Sequence, residues 1–70
     1  MRYFMQFVGE TEWNEIKAEN VIKDLEGSGY YKLNTAIETL DKIGYLRSPF
    51  AFYATDGHLE RVSRLNMNTL

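Results

Sequence analysis

The chain of 70 residues contains no cysteine, one histidine and one proline. Without thiols there is no disulfide framework and no cysteine-based zinc site, so stability must come from packing or from a partner. A solitary His58 excludes a His-Cys nucleophile pair and a multi-histidine metal site, and no metal or cofactor is expected. Long apolar runs are missing as well. Nothing approaches the roughly 20 residues of a membrane span, and the N-terminal residues lack the apolar stretch of a signal peptide, so a soluble cytoplasmic protein is expected. Basic charge is scarce: 8 Lys and Arg stand against 10 Asp and Glu, for a net charge of −2. A domain that grips a phosphate backbone carries a clustered basic excess, which makes nucleic acid a disfavoured partner.

What the chain does have is apolar surface, with 44% hydrophobic and 14% aromatic residues, enough for a folded core. Chains this short bury only about 60% of their unfolded surface. One small domain over residues 1–70 follows, and a large enclosed active-site cavity does not.

Residues 2–8, RYFMQFV, are rich in aromatic and β-prone types and stop at Gly9, which predicts a strand. Apolar side chains on both of its faces suit an interior strand covered on both sides. Thr11 is placed to cap a helix over residues 12–25, with Ala18, Val21, Ile22 and Leu25 on one stripe; Trp13 and Ile16 fall off it. Gly27-Ser28-Gly29 breaks the pattern, and a second helix over residues 30–43 carries the stripe Leu33, Ala36, Ile37, Leu40 and Ile43 before a C-terminal Gly44. From Pro49 onward the alternation Phe50, Phe52, Ala54, then Asp56-Gly57, predicts a hairpin whose return strand runs from His58 to about Leu65. The expected fold class is α+β in the order β-α-α-β-β: a small antiparallel or mixed three-stranded sheet covered by an αα-hairpin.

Candidate chemistry is thin. Glu10, Glu12, Glu15 and Glu19 lack the spacing of a calcium loop and read as a solvated face. Glu60, Arg61 and Arg64 on the return strand would supply charge for acting on a phosphodiester, or simply decorate a half-exposed edge. Trp13, Tyr30, Tyr31 and Tyr53, together with Arg61, are the candidates for anchoring a partner.

The stretch from Ala36 through Ile-Glu-Thr-Leu-Asp-Lys-Ile-Gly-Tyr-Leu-Arg-Ser to Pro49, then a strand, Asp56-Gly57 and Leu-Glu-Arg, resembles the middle of RelE/HigB-type toxins. The resemblance implies an N-terminal strand, an αα-hairpin and a short sheet. It also implies an mRNA endonuclease paired with an antitoxin, with Arg61, Arg64 and Glu60 as the catalytic candidates. Phe52 and Tyr53 stand where that family carries lysines.

Elimination favours a non-enzymatic protein-binding module, an inhibitor or decoy of the kind phages and other mobile elements encode, with self-pairing through an edge strand as one mode. The RelE/HigB-type toxin is the second expectation. A winged-helix DNA-binding regulator, with residues 30–43 as recognition helix, is the third, against which Glu38 and Asp41 offset Lys32 and Lys42.

Overall fold

The structure is a computed structural model that describes residues 1–29, 31–32 and 34–68, with side chains described as far as Ser63. Strand β1 (Tyr3–Phe7) forms where the aromatic run predicts it. Gly9, at φ 94°, then reverses the chain, helped by the Glu10 N–H donating to the Phe7 carbonyl at 3.0 Å. A left-handed residue of this kind suits glycine because it has no Cβ to clash. The returning segment is a strand, β2 (Asn14–Ile16), antiparallel to β1 with Tyr3 opposite Ile16.

The helix expected over residues 12–25 therefore starts later, as α1 (Ala18–Leu25), and Thr11 is not its cap. The reason lies in the two residues that fall off the helical stripe. A helix running from residue 12 would aim Trp13 and Ile16 away from the core, whereas pairing with β1 turns Ile16 inward against it. Val21 and Leu25 of α1 are fully buried.

The Gly-Ser-Gly break holds. Ser28 Oγ donates to the Asp24 carbonyl at 2.6 Å, and Gly29 has φ 79°. The second helix, α2 (Ala36–Ile43), is shorter than residues 30–43. Its first turn is capped from outside, since the Glu26 carboxylate accepts the N–H groups of Asn34 and, at 3.2 Å, Ala36. An anion at that end also suits the helix dipole. Of the expected stripe, Ala36 and Leu40 are buried and Ile43 is exposed; Leu33 lies outside the described residues. Gly44 ends α2 in the left-handed conformation, φ 90°, its N–H on the Leu40 carbonyl at 2.7 Å.

The hairpin expected around Asp56-Gly57 does not form, and a different one precedes it. It joins β3 (Tyr45–Arg47) to β4 (Ala51–Thr55) through Ser48-Pro49-Phe50. The buried Ser48 Oγ accepts from the Ala51 N–H at 3.0 Å, while Ser48 N–H donates to the Ala51 carbonyl at 2.8 Å. Asp56-Gly57 is not a hairpin turn, and the strand expected over residues 58–65 is a helix, α3 (Asp56–Asn68). Gly57 is not among the residues with positive φ, which the expected turn requires. Instead Thr55 Oγ1 accepts the His58 N–H at 3.2 Å, the arrangement of a helix N-cap, with Asp56 in the first turn.

The result is an α+β domain in the order β-β-α-α-β-β-α, with a fully antiparallel four-stranded sheet ordered β2-β1-β4-β3. Helices α1 and α2 cover one face. Against them lie Tyr3, Met5, Ile16, Leu46, Ala51 and Tyr53, which with Val21, Leu25, Ala36 and Leu40 form the core. Burying aliphatic side chains of that size contributes roughly 1.5–3 kcal/mol each.

Candidate functional site

Side chains alternate across a strand, so the residues between those core positions point to the other face. On β1 these are Phe4 and Gln6, on β4 Phe52 and Ala54, on β3 Tyr45 and Arg47, and on β2 Glu15; the register sets Phe4 opposite Ala54, Gln6 opposite Phe52 and Arg47 opposite Phe52. The ladder runs one pair further, with the Val8 N–H donating to the Phe50 carbonyl at 3.0 Å, which adds Val8 and Phe50 to this outer face. Both are 47% exposed, and Phe4, Tyr45 and Phe52 are half-buried.

The face is organised by stacking. The Arg2 guanidinium lies over the Phe4 ring at 5.2 Å, and that of Arg47 over Phe52 at 5.2 Å. Tyr45 stacks between Phe52, at 6.0 Å, and His58, at 5.4 Å. Arg2 also grips Glu15 with two hydrogen bonds of 3.0 and 3.1 Å, which hold the guanidinium pKa up and the carboxyl pKa down. Both partners are well exposed, so water screens the pair. Helix α3 begins at one corner of this face, where Ala54 is buried.

A second feature is a polar cleft of about 450 Å³ between α2 and the start of α3, lined by Asp41, Lys42, Thr55, Asp56 and Arg61. Beside it Tyr3 donates its hydroxyl to Asp41 Oδ1 at 2.7 Å. Burial, then the bond to Asp41, pushes the Tyr3 phenol up to about 12. It thus remains protonated at neutral pH and acts as a donor, not as a base. Among the described residues no group of three or more His, Asp or Glu side chains is placed to hold a metal ion.

The residues singled out from the sequence scatter. Tyr53 is a correction: expected as an exposed anchor, it is fully buried at the centre of the core and donates its hydroxyl to Asp24 Oδ2 at 3.1 Å. Tyr31 is half-buried and packs on the core. Tyr30 lies outside the described residues. Trp13 is half-buried, immediately before β2. Glu60 and Arg61 are exposed, on a helix where a strand was expected, and Arg64 shares that helix with its side chain outside the described part. Arg61 approaches α2: a Cβ added at Gly44 would sit 3.2 Å from Arg61 Nη2 and from His58 Cβ, so α3 rests against a bare α-carbon.

The outer face is the feature that reading by residue type passes over. Its signal is present as apolar residues on both faces of 2–8 and of 50–54, a pattern equally produced by a strand covered twice and by one covered once with a face left over.

No protein-family model matches the chain, and no curated protein or solved structure matches it either. Fold and site are thus argued from this chain's own residues. Among those described, no helix is long and apolar enough to cross a membrane.

Proposed function

We propose that this chain is a protein-binding module whose docking surface is the outer face of the sheet. One observation carries the reading: Val8 and Phe50, hydrogen-bonded neighbours on the sheet face opposite α1 and α2, are each 47% exposed beside the half-buried rings of Phe4, Phe52 and Tyr45. A contiguous apolar patch on a small domain marks a binding surface, and aromatic residues with flanking arginines are the side chains that dominate protein interfaces. The two guanidiniums already stacked on Phe4 and Phe52 hold those rings in place, which lowers the entropy lost on docking. The net charge of −2 favours a protein over a phosphate backbone as the occupant. On this reading the module acts by occupying a partner's surface, in the manner of an inhibitor or decoy.

Site-directed photo-crosslinking in living cells tests the proposal. Phe50 is replaced by p-benzoylphenylalanine, and Glu19, exposed on α1, serves as the control position. Adducts to protein, whether to other chains or to further copies of this one, are expected from position 50 and not from position 19. No adduct from position 50, or equal yields from both, removes the proposal.

A further inference from the structure

We propose that the free edge of β3 pairs with β3 of a second copy of this chain, in a two-fold dimer that joins the two sheets and sets the two α2 helices side by side. β3 is an outer strand of the sheet, bonded to β4. That ladder is bracketed by the Thr55 N–H donating to the Gly44 carbonyl at 3.0 Å and the Ser48 N–H donating to the Ala51 carbonyl at 2.8 Å. Main-chain groups alternate sides along an antiparallel strand, so Leu46 also faces β4, whereas Tyr45 and Arg47 turn their N–H and carbonyl groups to the edge. Among the described residues those outward groups have no hydrogen-bond partner. An edge of this kind is a template for another strand.

The edge fits itself. With the two Leu46 residues on the two-fold axis, Tyr45 of each copy lies opposite Arg47 of the other, and each such pair exchanges both of its main-chain hydrogen bonds. On the outer face the same register sets a tyrosine ring beside a guanidinium, a favourable pairing. The other outer strand does not fit itself. β1 turns Phe4 towards β4 and bonds β2 through Tyr3 and Met5, so in β2 the residue facing outward is Glu15. A two-fold pair centred there would oppose two carboxylates. Pairing of β3 with β2 leaves a free edge at each end and does not close.

The helical layer agrees. α2 rests on β3 and β4 alike, so its axis lies about half a strand spacing inside the edge, and joining two edges about 4.8 Å apart brings the two α2 axes to about 10 Å, where helices pack. Asp41 faces β1 through its bond from Tyr3. The opposite flank of α2, about 200° round the helix at Thr39 and Ile43, is therefore turned to the free side of β3. That flank carries a groove of about 570 Å³ lined by Thr35, Glu38, Thr39, Lys42 and Ile43, and Ile43 is 59% exposed. Leu46 stands about 6.6 Å beyond Gly44 at the strand rise, level with a helix residue about four before Gly44 at the helix rise, which is Leu40. Glu38 and Lys42 lie equally on either side of Leu40, so the same axis sets each Glu38 against Lys42 of the other copy. Among the described residues neither is in an ion pair within its own chain.

Sedimentation equilibrium from low micromolar to near-millimolar concentration tests the pair. The wild type is expected to move from the 8.2 kDa chain mass to twice that value. Arg47→Pro removes an outward donor and leaves the ladder to β4 intact, because proline is tolerated on an edge strand whose N–H faces solvent. It is expected to raise the dissociation constant about tenfold or more. Glu38→Lys and Lys42→Glu, both at exposed positions, are each expected to weaken the dimer several-fold with the circular dichroism of the fold unchanged. An equimolar mixture of these two variants brings opposite charges together again and is expected to associate more tightly than either variant alone. A wild type that stays monomeric throughout overturns the proposal, as does a dimer indifferent to a folded Arg47→Pro or a mixture no tighter than its components. If Arg47→Pro alters the circular dichroism, the charge-reversal mixture decides. Monomeric sedimentation alongside photo-adducts from position 50 to other proteins would sink the pair alone and leave the docking surface standing.

Discussion

The inner face of the sheet sets Tyr53, Ala51 and Leu46 against α1 and α2 with almost no surface left exposed, though Phe7 at its strand end is 45% exposed, while the outer face of the same strands leaves Val8 and Phe50 nearly half in water. Both faces are aromatic and both carry hydroxyl or guanidinium groups, so composition does not separate them. What separates them is how each polar group is met. Inside, the Tyr53 hydroxyl is bonded to Asp24 and the Ser48 hydroxyl to the hairpin backbone, so burial leaves nothing polar stranded. Outside, Arg2 and Arg47 lie across ring faces and keep contact with solvent. The first arrangement fixes one fold; the second keeps a surface ordered yet available.

Substitutions should divide along the same line. Leu40→Ala, at a fully buried position of α2, is expected to cost about 2–5 kcal/mol and, in so small a domain, to unfold much of the protein; urea denaturation followed by circular dichroism reads this directly. Gly44→Ala comes next. The left-handed backbone costs about 1–2 kcal/mol for a residue with a Cβ, and the new methyl would meet His58 and Arg61 at 3.2 Å, loosening α3 from α2. A stability unchanged by Gly44→Ala would mean that α3 does not rest there.

A smaller effect sharpens the inner face. Burial, then the charge and hydrogen bond of Asp24, pushes the Tyr53 phenol up to about 12 from its ordinary 10.0, and Tyr3 is raised to about 12 as well. With the folded pKa above the unfolded one, the contribution of each phenol is intact below pH 10 and is lost as the pH climbs towards 12. The urea midpoint should therefore fall across that alkaline window. Tyr53→Phe should lower stability by about 1 kcal/mol at neutral pH, through the unmatched Asp24, and should also shrink the alkaline fall. An alkaline fall of undiminished size in Tyr53→Phe would contradict the buried, hydrogen-bonded placement of that phenol.

Much of the frame is legible in the residues, and the errors share a cause. β1, the Gly-Ser-Gly break, and α2 with its Gly44 cap are local patterns, in which neighbouring residues carry the whole signal. The segment around Asn14 to Ile16 and the segment after Thr55 are decided by more distant partners. Glu12 to Ile16 has enough helix formers to read as a helix, but its ladder with β1 and the inward turn of Ile16 outweigh propensity. The misfit of Trp13 and Ile16 to the stripe was the visible trace of that competition. Asp56-Gly57 signals a hairpin when taken alone, yet Thr55 caps a helix at that point and the backbone of Arg2 pins it. That misreading put Glu60, Arg61 and Arg64 on a strand, whereas they lie on a helix. The candidate site stayed hidden for a different reason. Whether an apolar face is covered depends on where the helices settle in three dimensions, and α1 and α2 share one side of this sheet.

The division between the faces is tested most directly by urea unfolding of Phe50→Asp at low micromolar concentration, where association does not contribute. If the outer face serves docking and not folding, the midpoint stays within about 0.5 kcal/mol of the wild type, as for an exposed site. A loss of about 2 kcal/mol or more, of the size seen when a covered aromatic is removed, would mean that the chain covers Phe50 itself, and the account of an available face would fail.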